Sequence, residues 1–193
     1  MFSQCRRIPT CVGSRCAHAE QQDQPSRGNL AFAVRNTIQW SRLPAAKSLA
    51  GSMSIDSVLR GASLELRVQE KARNRNKRGI YCVDLSRHGG RLGKLAYRSA
   101  DFDALVSTVL DELKVAGLFM FPTKVLERHA LVDQKPVSLQ LYPPWALPKR
   151  ESARMKHAWQ LDHFVDLRDW KGGDALPSCC RDRLLDLLQG FED

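Results

Sequence analysis

An α/β fold is the class this sequence predicts, and three observations predict it. Residues Leu64 to Ala72 alternate apolar and polar, as a strand with one buried face does. Two further short apolar runs, Ile80 to Leu85 and Leu118 to Phe121, have strand composition and lie between turn-forming residues. Segments with apolar residues at helical spacing stand before and after them, at 29–40, 123–130 and 180–191.

In chain order, residues 1–28 are polar and rich in Gln, Ser and Arg, which predicts a disordered basic tail. Met1 to Ala19 carries Arg6, Arg7 and Arg15 with no acid before Glu20, so a transit peptide for organellar import is the alternative. Leu30, Phe32, Val34 and Ile38 predict a short helix over Asn29 to Trp40, ended by Pro44. Val58-Leu59 and the turn Arg60-Gly61-Ala62-Ser63 then lead into the alternating strand. A basic hairpin turn, 72–79, connects it to Ile80 to Leu85. Phe102 to Leu113 fits a helical period by spacing, while its β-branched Val106, Thr108 and Val109 favour a strand. Thr123, after Pro122, is the candidate N-cap of a helix running to Ala130. Residues 139–148 hold Tyr142, Pro143, Pro144, Trp145 and Pro148 and read as a rigid extended connector. Arg150 to Trp159 reads as a basic helix, and 171–193 as an amphipathic C-terminal tail that docks on the body or on a partner chain. The main domain is thus expected over 29–170.

Charge narrows the partner. The chain carries a formal +9, and its distribution is uneven: residues 1–78 hold 14 Lys/Arg against five Asp/Glu, whereas 79–193 hold 16 of each. The excess therefore lies at or before the basic turn, and an anionic partner follows from it. Arg67, Arg73, Arg75, Lys77 and Arg78, with Arg91 and Lys94 further on, are the candidate nucleic-acid contacts, with DNA expected and RNA the alternative. No apolar run approaches the ~18 residues of a membrane span, so no membrane partner is expected. The six cysteines include no C-x-x-C pair, which argues for reduced thiols and an intracellular, nuclear or cytoplasmic setting.

The candidate chemistry sits on the alternating strand. Residues two apart share a strand face, so Gln69 and Lys71 project together. Asp56 stands thirteen positions before Gln69, across the turn. An aspartate, a turn and then (Glu/Gln)-x-Lys is a pattern that gathers ligands for a hard cation beside a lysine. Phosphodiester hydrolysis needs both a cation on the phosphate and a positive group near the attacking water. An ordinary strand with a polar solvent face is the competing interpretation. The histidines never pair with glutamate at zincin spacing, and Gly89 to Lys94 lacks the spacing of a phosphate loop.

The order Val68-Gln69-x-Lys71-Ala72, basic turn, Tyr81-x-Val83-Asp84-Leu85, glycine loop, Asp101-Phe102-Asp103-x-Leu105 and an apolar strand ending Phe121-Pro122 resembles the PD-(D/E)XK nuclease superfamily. Within it, the resemblance is to the branch that includes homing-endonuclease-like and mobile-element nucleases, and it spans about residues 54–167. It implies a restriction-endonuclease-like αβββαβ core with a mixed central sheet flanked by helices, and a strand rather than a helix over 104–110. It also implies Mg²⁺-dependent DNA cleavage, with Asp56, Gln69 and Lys71 catalytic and Asp56 and Gln69 holding the metal, and it leaves a homodimer open. One departure stands out. Members often carry a glutamate in the helix before the catalytic aspartate, but between Gln21 and Ile55 this chain offers only Asp23. Substitution by Glu65 or Glu70, and a catalytically decayed nucleic-acid-binding relative or ribonucleoprotein subunit, are the alternatives this opens.

Overall fold

A computed structural model of the protein describes residues 39–42, 55–61, 64–112, 114–173 and 175–191. The tail at 1–28, most of the expected helix over 29–40, and the upstream acids Glu20 and Asp23 lie outside the described residues.

Two sheets form the frame. The larger has the order β1 (Gln39–Arg42), β2 (Ser57–Arg60), β3 (Glu65–Asn74), β6 (Ala104–Asp111), β7 (Lys114–Pro122) and β9 (Phe164–Asp166). All its neighbours are antiparallel except β3 and β6, which run parallel, so the sheet is mixed. Gln39 and Trp40, expected at the end of a helix, belong to β1 instead. The smaller sheet has β4 (Tyr81–His88) between β5 (Lys94–Ala96) and β8 (Val137–Leu141), all antiparallel. Its β8 replaces the first part of the expected extended connector, and a 3-10 turn at Pro144–Ala146 the middle.

The basic turn does not close a hairpin within one sheet. β3 is paired by β2 on one edge and β6 on the other, so no ladder position remains for β4. Asn76 donates its N–H to Ile80 O at 2.9 Å and accepts from Gly79 N at 2.9 Å, and this turn redirects the chain into the second sheet. Gly79 adopts φ +74, a conformation glycine reaches without steric cost.

Packing follows from sheet alternation. On one face Leu66 and Val68 of β3, Ala104, Val106 and Leu110 of β6, and Leu118 and Met120 of β7 form a core with Trp170 and α3 (Ser178–Gln189). That helix inserts Cys180, Leu184, Leu187 and Leu188, so the C-terminal amphipathic segment docks on the body. Each leucine so buried is worth roughly 1.5–3 kcal/mol relative to exposure. On the other face Leu105, Val109, Phe119 and Phe121 pack against Tyr81, Val83 and Leu85 of β4 and Leu139 and Leu141 of β8. β6 and β7 are therefore covered on both sides and read as nearly continuous apolar runs.

Among the described residues two short α-helices follow, α1 (Thr123–Arg128) and α2 (Glu151–His157). Thr123 is not the N-cap. Pro122 occupies that position, and the Thr123 hydroxyl donates to Phe102 O at 2.7 Å, tying the helix start to the chain that enters β6. Among the described residues no helix is long and apolar enough to cross a membrane.

Candidate active site and nucleic-acid interface

Strand pairing brings Asp56 and Gln69 together. Asp56 precedes β2, and its N–H donates to Val68 O at 2.8 Å, which extends the β2–β3 ladder by one residue. Its Oδ2 accepts the Gln69 Nε2–H and also the Glu70 backbone N–H, the latter at 2.8 Å. The Gln69 side chain is buried while Asp56 is exposed, so the amide lies under the carboxylate and holds it from below.

Lys71 lies one step further along the same face. Its Nζ donates to the Tyr97 hydroxyl at 3.0 Å and sits 5.4 Å from the Tyr97 ring centroid. Ser107 of β6 is in register with Lys71; it is fully buried, and its hydroxyl makes no hydrogen bond among the described residues. The two glutamates considered as replacement acids stand elsewhere. Glu65 Oε2 pairs with Arg60 Nε at 3.0 Å, and Glu70, by strand alternation, projects from the face opposite Gln69 and Lys71. Among the described residues no group of three His, Cys, Asp or Glu side chains gathers at one point.

Arg67, on the same face as Gln69, is already engaged. Its Nε and Nη2 grip the Asp103 carboxylate at 3.0 and 2.8 Å, and its Nη1 donates to Ala100 O at 3.0 Å. The hydrogen bond from Arg67 holds the Asp103 carboxyl below its ordinary range, and the same contact raises the guanidinium. Arg67 is thus a strand-to-strand tie, with its guanidinium already paired to a carboxylate. Lys94 is similar: its Nζ lies 3.4 Å from Asp84 Oδ2, whose carboxyl is lowered first by the Ser138 hydroxyl and then by Lys94. Arg75 Nε donates to the Tyr81 hydroxyl at 2.9 Å and packs over that ring. Arg73, Lys77, Arg78 and Arg91 are exposed.

Tyr97, Asp103 and Ser107 had no assigned role in the sequence. Asp103 was visible only as a member of the Asp-Phe-Asp landmark. Nothing in their spacing links them to Lys71 and Arg67: Ser107 meets Lys71 through the parallel pairing of β3 and β6, and Tyr97 and Asp103 reach Lys71 and Arg67 by side-chain contacts.

The fold and this face define a mixed α/β protein with a carboxylate–amide–lysine row beside a basic turn. The family model described as MepB-like matches residues 55–166, and the chain belongs to that family. The match begins one residue before Asp56 and takes in both sheets from β2 to β9. Among solved structures, the crystal structure of MepB is similar at 20% identity and a TM-score of 0.47, covering 57% of this chain and 76% of that one. The structure of a bacterial homing endonuclease, I-Ssp6803I, is similar at 23% identity and a TM-score of 0.43, covering 69% of this chain and 88% of that one. None of the curated proteins matches.

Proposed function

We propose that this chain is a Mg²⁺-dependent endonuclease of PD-(D/E)XK type that hydrolyses DNA phosphodiesters at the Asp56–Gln69–Lys71 row. The observation that carries the reading is the contact of the Asp56 carboxylate with the Gln69 amide across paired strands, with Lys71 next on the same face.

The donor set fits the ion sparingly. Mg²⁺ is held by one or two carboxylates and completes its shell with water and substrate phosphate oxygens. Asp56 is exposed, and its Oδ1 accepts no hydrogen bond among the described residues. Gln69 would join it through its amide oxygen, which requires the amide to turn over from its present contact. Bound there, the cation would polarise the phosphate and neutralise charge developing on its oxygens.

The remaining work falls to the protein. Lys71 orients the attacking water with an N–H donor and places a positive charge where the phosphorus centre gains negative charge. The new bond forms between the water oxygen and phosphorus as the bond to the leaving ester oxygen breaks. Gln69, packed beneath, fixes the height of the Asp56 carboxylate. Arg73, Lys77 and Arg78 offer backbone phosphate contacts alongside.

A second reading, a nucleic-acid-binding relative without cleavage, is favoured by one observation: among the described residues no group of three His, Cys, Asp or Glu side chains gathers where Asp56 meets Gln69. Nicking of supercoiled plasmid over a Mg²⁺ titration decides between the two. The first reading expects nicking by wild type that Asp56→Asn and Lys71→Ala reduce by about 10²–10³. DNA binding with no nicking at any Mg²⁺ concentration establishes the second.

A further inference from the structure

The hydroxyl that meets Lys71 plays no part in the metal-ligand pattern, yet it is the better-anchored member of the pair. We propose that Tyr97 is a positioning residue for Lys71, fixing the ammonium over the β3 face and affecting cleavage only through that lysine. The position follows from contacts alone; the kinetic consequence rests on the endonuclease reading.

Tyr97 is built not to move. Its residue is 3% exposed, its ring meets Phe102 edge-on at 5.2 Å and 82°, and its carbonyl accepts the Asp133 N–H at 2.8 Å. Asp133 is itself held, since its carboxylate accepts the Ser99 N–H at 3.1 and 3.2 Å. Lysine, by contrast, has a flexible four-carbon stem and no fork geometry to orient it. A half-buried ammonium needs acceptors for its three N–H groups. The phenol oxygen supplies one at 3.0 Å. On that face Ser107 is in register with Lys71, but its hydroxyl makes no hydrogen bond among the described residues. Tyr97 thus selects among the rotamers of Lys71 and aims it.

Tyr97→Phe removes the acceptor and keeps the ring that packs on Phe102. The first measurement needs no nuclease activity: hydrogen exchange of the lysine ammonium protons by ¹⁵N NMR on the full chain. In wild type, Lys71 should exchange about tenfold more slowly than exposed Lys77, and in Tyr97→Phe the two should become alike. Equal exchange of Lys71 and Lys77 in wild type, or an unchanged Lys71 in the variant, overturns the proposal. If the variant unfolds, the wild-type comparison still decides. The second measurement is plasmid nicking. Tyr97→Phe should slow the rate about tenfold at unchanged DNA affinity, and the Lys71→Ala/Tyr97→Phe double variant should be no slower than Lys71→Ala. A further loss in the double variant shows that Tyr97 acts on its own and overturns the proposal. A wild type that never nicks removes the endonuclease reading, and ammonium exchange alone then decides whether Tyr97 positions Lys71.

Discussion

Arg67 on β3 and Asp103 at the entrance to β6 face each other fork to fork, with Nη2–Oδ1 at 2.8 Å and Nε–Oδ2 at 3.0 Å. The Arg67 backbone N–H also donates to Asp103 Oδ2 at 2.8 Å, and Asp103 N donates back to Arg67 O at 2.9 Å. Parallel strands joined by a long excursion need something to set their register. These four bonds set it one residue before the ladder begins at Val68 and Ala104. The position of Lys71 beside Ser107, and so its approach to Tyr97, depends on that setting.

Asp103→Ala should therefore destabilise the fold by about 1–2 kcal/mol, because it strands the Arg67 N–H as well as the guanidinium. Arg67→Ala leaves the backbone bond intact and should cost less, about 1 kcal/mol for a pair that is partly exposed. The acid dependence has a definite sign. The Asp103 carboxyl is held below its ordinary 3.8, so its contribution is complete above that value and is lost as pH falls below it. Urea denaturation of both variants at neutral pH and near pH 3 checks the order and the sign; equal losses at neutral pH would show that the backbone bond is of no consequence.

Serine at Arg73, Lys77 and Arg78 should lower DNA affinity and reduce the slope of log K against log salt by roughly 0.9 for each phosphate contact removed. Arg67→Ser should leave the slope unchanged, since that guanidinium already has its anion in Asp103. Fluorescence anisotropy of a labelled duplex over a salt series distinguishes them. A slope that falls equally for Arg67 and for the turn residues contradicts the division of labour.

How much of this was legible in the sequence depends on burial geometry. β3 was read correctly because its two faces differ: Leu66 and Val68 enter a core while Arg67 and Lys71 do not. β6 and β7 gave no alternation because both faces are covered, so Phe102 to Leu113 imitated a helical stripe, and its β-branched residues were the better guide. Thr123 was misplaced because its hydroxyl serves Phe102 O across the fold and not its own helix. The assignment of β4 to a second sheet was invisible for a similar reason, since the edge it would have taken is occupied by β6, 30 or more residues later. At the site, Gln69 and Lys71 could be paired by the two-residue period of a strand. Tyr97 could not, because only tertiary structure brings it to Lys71.

His163 should give the domain a pH response on the acid side of the ordinary histidine value of 6.5. Its ring meets Phe121 at 5.7 Å and Trp159 at 6.3 Å, and His129 stacks on that same Trp159 at 3.9 Å. Burial pushes His163 below its ordinary 6.5, and Arg183, Arg128 and His129 push the same way against the opposing charge of Asp162. Burial lowers His129 and His157 too, with further lowering from Arg128 and from Lys156 and His129 respectively. A base whose folded value is depressed binds fewer protons folded than unfolded. Stability is therefore full above about 6.5 and declines as pH drops toward the depressed folded values. The thermal midpoint should fall between pH 7 and pH 5, and His163→Gln should flatten that fall even if it lowers stability at pH 7. An unchanged gradient in the variant would assign the response to other groups.

Gln69→Glu tests the metal reading most directly. The substitution keeps the length of the side chain and its place beneath Asp56, but replaces an N–H donor by a second carboxylate. Without a cation, two carboxylates in contact and one of them buried should repel, and the domain should lose stability relative to wild type. With Mg²⁺ the same pair becomes a two-carboxylate site of the kind the ion prefers, and the loss should be recovered in a concentration-dependent way, since a ligand bound only by the folded state adds RT ln(1 + [L]/Kd). Wild type, with one carboxylate, should show a weaker Mg²⁺ effect, and Asp56→Asn none. Thermal midpoints of the three proteins over a Mg²⁺ series, with EDTA as the zero point, read this without requiring catalysis. A Gln69→Glu variant that is destabilised and unresponsive to Mg²⁺ would place the ion elsewhere and leave the Asp56–Gln69 contact as a structural hydrogen bond.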